Sequence, residues 1–198
     1  MKYKLGIDID GCLLALYRDQ FVPIMNERYG LNKTIEDMNV GFIEAYNTNQ
    51  EELTGVFGLT DDYSVNLVDP EGARILQELI DDDHFIELVT AHVPHQEQGQ
   101  EPLLERLIQL KVPYNSIRFA RDKEVIAHEY DFMVDDATYH LDSMINKTNP
   151  VQFIRPWNKE YNNNNVFSVN DWTEFKALID VCSKLEINGI IGKAITIR

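Results

Sequence analysis

The chain has 198 residues, 44% of them hydrophobic and 26% charged, a composition typical of a globular protein with one substantial core. Its net charge of −15 argues against stable binding to nucleic acid or to an anionic membrane surface. The two cysteines have no metal-ligand spacing, no apolar stretch approaches membrane-spanning length, and no signal peptide precedes the first predicted strand. We therefore expect a cytoplasmic protein with reduced thiols and no membrane association.

The first predicted element is a short buried strand over residues 3–7, which ends before Gly11. Asp8 and Asp10 follow it, at the end of the strand where ligands bind in open α/β sheets. Their spacing of two residues lets both carboxylates face one small volume, where they could hold a divalent cation or act as nucleophile and acid/base. The pattern Asp-x-Asp-Gly also occurs in calcium loops and in ordinary turns, so both alternatives stay open at this point.

The next segment has helix-like pieces separated by Asn, Thr and Gly, without the alternation of a strand. The predicted helices of this segment cover residues 21–29, 35–38, 42–46 and 51–57. We interpret residues 14–69 as a helical cap inserted into a core domain that consists of residues 1–13 and 70–188. Residues 189–198 form a C-terminal tail without a clear signal.

Helices and strands alternate after the insertion. Helices are predicted over 70–80, 102–110, 123–130, 137–145 and 171–185, and strands over 85–90, 117–120, 132–134, 151–154 and 166–169. Asp69 as N-cap and Pro70 in the first turn mark the start of the first of these helices. This alternation predicts an α/β fold with a Rossmann-like, mostly parallel sheet covered by helices on both faces.

Polar residues follow three more of the predicted strands. Thr90 ends one strand, Arg121 and Lys123 come just after the next, and Asp135 and Asp136 follow a third. Two adjacent carboxylates repel one another unless a cation or hydrogen-bond donors offset their charge. Each feature also has a structural interpretation: a threonine common in strands, a solvated basic turn, and two aspartates that cap the following helix.

Taken together, these strand ends resemble the haloacid dehalogenase (HAD) superfamily of phosphohydrolases over roughly residues 3–180. The four motifs of that superfamily are matched, in order, by Asp8-x-Asp10-Gly11, Thr90, Lys123 and Asp135-Asp136. The predicted insertion lies where that superfamily carries its first type of cap. The resemblance implies a HAD core with a helical cap and the activity of a Mg²⁺-dependent phosphomonoesterase.

The resemblance also implies roles for individual residues. Asp8 would attack phosphorus and form an aspartyl-phosphate, and Asp10 would act as the acid and then as the base. Mg²⁺ would be held by Asp8, by the backbone carbonyl of Asp10 and by Asp136, whose role could exchange with that of Asp135. The groups expected to bind the phosphate are Thr90, Ala91, Arg121 and Lys123.

A narrower likeness to the 5′(3′)-deoxyribonucleotidases is carried by residues 121–126, 132–136 and 171–175. It implies a nucleoside monophosphate bound beneath the cap against Leu16, Phe42 and Ile43. Leu16 and Ile43 stand where that family tends to have phenylalanine and tryptophan, which removes flat surface that would stack on a base.

Other interpretations accompany this one. The substrate could be another small phosphometabolite or a nucleic-acid 3′-phosphate end, and a non-catalytic binding module of the same fold is the alternative from a different class. The partners we expect are a small phosphomonoester, with the nucleotide preferred, and a second copy of the chain in a homodimer. Trp157 is expected to pack on the edge of the sheet rather than over the pocket.

Overall fold

The computed structural model describes residues 2–57, 59, 68–91 and 100–187. Six parallel strands form one sheet in the order β3-β2-β1-β4-β5-β6. The strands are β1 (Lys4–Ile7), β2 (Phe85–Thr90), β3 (Ser116–Phe119), β4 (Phe132–Asp135), β5 (Asn149–Phe153) and β6 (Phe167–Val169). The predicted parallel α/β fold is thus confirmed, whereas the predicted tail lies outside the described residues.

Eight α-helices connect or flank these strands in the described part of the chain. They are α1 (Val22–Tyr29), α2 (Phe42–Tyr46), α3 (Gln50–Phe57), α4 (Pro70–Asp81), α5 (Glu101–Gln109), α6 (Lys123–Ile126), α7 (Thr138–Met144) and α8 (Trp172–Ile187). A π-helical turn covers Tyr17–Phe21, and 3-10 turns cover Ile35–Val40, Ala127–Glu129 and Pro156–Asn158. Among these described helices, none is both long and apolar enough to cross a bilayer.

Two of the predicted helices differ from the structure. The helix predicted over 123–130 is divided into α6 and a 3-10 turn, because Tyr130 is already extended at φ −115° and ψ 146° on the way to β4. The piece predicted over 35–38 is a 3-10 turn, held by a capping box between Thr34 and Asp37. The predicted start of α4 is confirmed, since the Asp69 carboxylate accepts hydrogen bonds from two backbone N–H groups of the first turn.

Strand β1 lies at the centre of the sheet, between β2 and β4. Leu5, Gly6 and Ile7 are buried in succession, as expected for a parallel strand that is covered on both faces. From β1 the strand order runs outward in one direction to β2 and β3 and in the other to β4, β5 and β6. A crevice for ligands forms at the carboxyl ends of the strands where such an order reverses.

A second apolar cluster lies apart from the core around the sheet and draws its buried members from residues 21–56. Leu14 and Leu16, in contrast, pack in the main core, and Leu14 forms β-bridges with both Asp10 and Val68. The chain therefore leaves the core and returns to it at one place. These contacts support the proposed division into a core domain and a cap. The exact boundaries of the two remain a prediction.

Candidate active site

The residues predicted from four strand ends lie together at the carboxyl edge of the sheet. Asp8 and Asp10 follow β1 and are 6% and 8% exposed. The Thr90 hydroxyl, at the end of β2, lies 3.3 Å from Asp10 Oδ2. Asp8 Oδ1 accepts a hydrogen bond from Lys123 Nζ. Groups from three separate parts of the chain thus meet in one buried volume.

Lys123 is the cation at the centre of this site and is 1% exposed. The side chain of Asp122 caps α6 by accepting from the backbone N–H of Glu124 at 3.1 Å, which places Lys123 in the first turn. Its ammonium donates to Asp8 and, at 2.7 Å, to Asp135 Oδ2. Burial opposes its charge, but Asp135 and Asp8 outweigh burial and raise the Lys123 pKa, so the ammonium stays protonated.

Asp135 and Asp136 point to different partners although they are adjacent. Asp135 binds Lys123 through Oδ2 and accepts from the Ala137 backbone N–H through Oδ1 at 2.9 Å. Asp136 Oδ2 accepts from Trp157 Nε1 at 2.8 Å. The N-cap of α7 is Ala137, so the interpretation in which both aspartates cap that helix does not hold. Asp135 orients the lysine, and Asp136 faces the other side of the site.

The charges of this site favour a divalent cation. Candidate ligand atoms of Asp8, Cys12 and Asp136 lie within 4.8 Å of one another. Burial raises the pKa of Asp8 well above its usual range, and burial with the nearby Asp135 charge raises the pKa of Asp136 to about 7. The site contains four buried carboxylates and the single ammonium of Lys123. The carboxylates belong to Asp8, Asp10, Asp135 and Asp136. An excess of buried negative charge is relieved by a bound cation.

The donor atoms fit Mg²⁺ better than a softer metal. Burial raises the pKa of the Cys12 thiol well above its usual range, so its sulfur stays protonated. Mg²⁺ is a hard cation that takes oxygen ligands, typically one or two carboxylates together with water and substrate oxygens. Asp8 and Asp136 supply such carboxylates, with ligand atoms within 4.8 Å of one another.

The turn after β1 requires glycine and is held by an arginine. Gly11 has φ +88°, and a Cβ at this position would lie 2.6 Å from Asp136 Oδ2. Arg155, after β5, donates to the carbonyl of Gly11 at 2.7 Å and to that of Cys12 at 3.0 Å. This role of Arg155 could not be predicted from local sequence, because its partners are 143 and 144 positions away.

A cavity of about 530 Å³ opens above the carboxylates. The predicted site residues that line it are Asp8, Asp10, Leu16, Phe42, Thr90, Ala91, Arg121, Lys123, Asp135 and Asp136. Ile43 does not line it, and its side chain is 43% exposed. Successive residues of a helix point about 100° apart, so Phe42 can face the cavity while Ile43 faces away from it. Ile43 is therefore corrected from a pocket residue to a surface residue.

One wall of the cavity is aromatic. The ring of Tyr17 lies 5.3 Å from that of Phe42 and 4.7 Å from that of Trp157, centroid to centroid. The expectation that Trp157 packs on the sheet edge is wrong, because it lines the cavity and contacts both rings. Its place just after β5, at one more strand end, is the sequence signal that could have identified it.

No protein-family model matches the sequence, and no curated protein is significantly similar to it. Solved structures share its fold. A predicted phosphatase from Clostridium acetobutylicum has a TM-score of 0.62 at 14% identity, over 91% of this chain and 100% of its own. A phosphonoacetaldehyde hydrolase like protein from Oleispira antarctica has a TM-score of 0.61 at 11% identity, over 96% and 95%. A HAD-superfamily hydrolase from Ehrlichia chaffeensis has a TM-score of 0.56 at 13% identity, over 91% and 98%. The chain therefore has the α/β fold of the HAD-superfamily hydrolases and phosphatases.

Proposed function

We propose that this protein is a Mg²⁺-dependent phosphomonoesterase that hydrolyses ribo- or deoxyribonucleoside monophosphates through an aspartyl-phosphate on Asp8. The observation that carries the proposal is the contact of Asp8 with the buried ammonium of Lys123 on the floor of the cavity. Burial raises the pKa of Asp8, and the adjacent Lys123 ammonium opposes that rise, so this contact favours the anionic, nucleophilic form of the carboxylate. The same cation can offset negative charge on a phosphoryl group.

Asp8 and Asp10 would divide the chemistry between them. The Asp8 carboxylate attacks phosphorus, and the bond between phosphorus and the leaving oxygen breaks. Asp10, two residues further along the same turn, donates a proton to the leaving alkoxide. It then takes a proton from the water that attacks the aspartyl-phosphate and releases inorganic phosphate. Asp10 is 8% exposed, so its carboxyl group lies largely away from bulk solvent.

The phosphate would lie between the nucleophile and donors from neighbouring elements. Thr90 supplies a hydroxyl, Ala91 a backbone N–H, and Lys123 and Arg121 supply positive charge, and all four residues line the cavity. Asp8 and Asp136 would hold Mg²⁺, whose chemistry when bound is to neutralise charge on the phosphoryl oxygens. Fixed donors in a buried site need no reorganisation when charge develops in the transition state.

The rest of the cavity is suited to a leaving group that carries an aromatic base. A volume of about 530 Å³ is within the range of small-molecule pockets. Tyr17, Phe42 and Trp157 present ring surface that can stack on a flat, uncharged base, and Leu16 adds an aliphatic contact. Because the lining has few cations, one phosphate is matched better than two or three.

The test is phosphate release from a panel of monoesters. The panel contains nucleoside 5′- and 3′-monophosphates, sugar phosphates, phenyl phosphate and an oligonucleotide with a 3′-phosphate. We expect nucleoside monophosphates to have the highest kcat/KM, with activity that requires Mg²⁺ and is absent in Asp8→Asn. Asp81→Asn, at an exposed position of α4, is the matched control and should keep full activity.

Other results would contradict separate parts of the proposal. Full activity in Asp8→Asn would overturn the mechanism. A preference for sugar phosphates or for the oligonucleotide would overturn the substrate class while leaving the phosphatase chemistry intact. A lack of activity on every monoester would favour the non-catalytic binding module.

A further inference from the structure

Trp157 contacts both halves of the proposed site. Its indole Nε1 donates to Asp136 Oδ2 at 2.8 Å. Its ring centroid lies 4.7 Å from that of Tyr17 and 5.5 Å from that of Phe42, which form the aromatic wall. One side chain therefore contacts the carboxylate proposed to bind the cation and also the surface proposed to bind the leaving group.

The backbone turn that carries Trp157 is fixed by its neighbour Asn158, which is 3% exposed. The Asn158 amide donates to the carbonyl of Asp136 at 2.7 Å and to that of Phe153 at 2.9 Å. Its oxygen accepts from the Arg155 backbone N–H at 2.7 Å. Asp136 is thus held at two points: Trp157 binds its side chain, and Asn158 binds its backbone carbonyl. A fully hydrogen-bonded turn of this kind limits the directions in which the indole can point.

The two cations whose charges act on Asp136, Lys123 and Arg155, are engaged elsewhere. Lys123 donates to Asp8 and Asp135, and Arg155 donates to the backbone carbonyls of the turn after β1. Among the described residues, the indole is the group that the structure gives as a hydrogen-bond donor to the Asp136 carboxylate. Without the indole N–H, the Asp136 carboxylate would stay buried but would lose the hydrogen bond that sets its orientation.

We propose that Trp157 is a positioning residue, whose indole N–H orients Asp136 toward the divalent cation while its ring forms part of the substrate wall. The inference rests on the proposed function, because it takes Asp136 as a cation ligand. Groups that orient a metal ligand from outside typically contribute tenfold to hundredfold to metal affinity. The N–H and the ring are separable chemically, so the two roles can be tested independently.

The decisive measurement is Mg²⁺ binding by isothermal titration calorimetry, without substrate. Trp157→Phe removes the N–H and keeps a ring, so we expect its Mg²⁺ dissociation constant to rise about tenfold. We expect its KM for a nucleoside monophosphate, at saturating Mg²⁺, to change less than about threefold, since the wall keeps its aromatic surface. Phe42→Leu is the converse control: it should raise KM and leave Mg²⁺ affinity unchanged, because Phe42 contacts the ring of Trp157 and has no N–H or O–H group to donate to Asp136.

A second substitution excludes a simple folding defect. Benzothienylalanine at position 157 replaces the indole N–H by sulfur in a ring of the same shape, and we expect it to weaken Mg²⁺ binding as phenylalanine does. Equal Mg²⁺ affinity in wild type and in the benzothienyl protein would overturn the inference. So would an equal loss of affinity in Phe42→Leu, which would indicate general damage to the cavity. A wild-type protein that binds no Mg²⁺ would instead contradict the proposed function.

Discussion

Two clusters of charged side chains lie on the same sheet and differ in their charge balance. The acidic centre, at the carboxyl ends of the strands, consists of Asp8, Asp10, Lys123, Asp135 and Asp136. The paired cluster, near the amino ends, consists of Lys4, Glu87, Arg118, Glu129 and Tyr130. The acidic centre has four carboxylates and one cation, whereas the paired cluster has two of each.

The paired cluster satisfies its own charges. The Glu87 carboxylate lies 3.0 Å from Lys4 Nζ and accepts from the Tyr130 hydroxyl at 2.5 Å. Arg118 binds Glu129 through two hydrogen bonds of 2.8 and 2.9 Å. The charges of the paired cluster balance one another without a ligand. The contacts between these side chains hold β1, β2 and β3 together. Buried side chains that have an excess of one charge and line a cavity indicate a ligand-binding site. Buried side chains whose charges balance indicate a structural role.

The largest expected effect is on catalysis in the acidic centre. Asp8→Asn should lower phosphate release by at least about 10³-fold, because the nucleophile is lost. Its melting temperature should stay equal to or above that of wild type, since one of several like charges is removed from a buried site. Phosphate assays together with calorimetric unfolding measure both. A large drop in melting temperature would place Asp8 among residues that hold the fold.

Mg²⁺ should stabilise the protein through the acidic centre alone. At a free Mg²⁺ concentration about 100 times the dissociation constant, the free energy of unfolding should rise by about 2.7 kcal/mol. Asp136→Asn should lose this increase, whereas Glu87→Gln in the paired cluster should keep it. Unfolding in EDTA and in MgCl₂ provides the comparison, and stabilisation that persists in Asp136→Asn would contradict the assignment.

The paired cluster should respond to mutation in the opposite way. Glu87→Gln removes a buried charge with ionic partners and should lower the free energy of unfolding by about 2 kcal/mol, with kcat unchanged. Glu105→Gln, at an exposed position of α5, is the matched control and should change stability by less than about 0.5 kcal/mol. Loss of activity in folded Glu87→Gln would mean that the two clusters are coupled.

The smallest expected effect is the pH dependence of the stability difference between wild type and Glu87→Gln. Burial opposes the charge of Glu87, but hydrogen bonds from Tyr130 and Lys4 outweigh it and lower its pKa below 4.5. Arg118 lowers the pKa of the exposed Glu129 to about 2. An acid whose pKa is lower in the folded state stabilises the fold above its unfolded value and loses that contribution as the pH falls through the folded one. The stability difference between wild type and Glu87→Gln should therefore shrink as the pH falls below 4.5, and a constant difference in thermal unfolding would contradict this.

The fold and the floor of the site could be predicted because both depend on local patterns. Apolar runs, the Asp69 cap and polar residues at strand ends are visible in the sequence, and a parallel sheet brings strand ends to one edge. Phe42 could be predicted as a pocket residue, but the way in which Tyr17 and Trp157 complete the aromatic wall could not, since the approach of Trp157 to Tyr17 depends on how the cap packs. Helix α2 has five residues, too few for its periodicity to show that Phe42 and not Ile43 faces the cavity.

The central place of β1 has a consequence for the protein during its own synthesis. β1 is made first, yet one of its two neighbours is β4, with Leu5 opposite Phe132. Until β4 has been synthesised, about 130 residues after β1, the edge of β1 that pairs with β4 has no neighbour. The partly synthesised chain is therefore most exposed to aggregation before β4 emerges, and Asp136 arrives only with the strand that closes this gap.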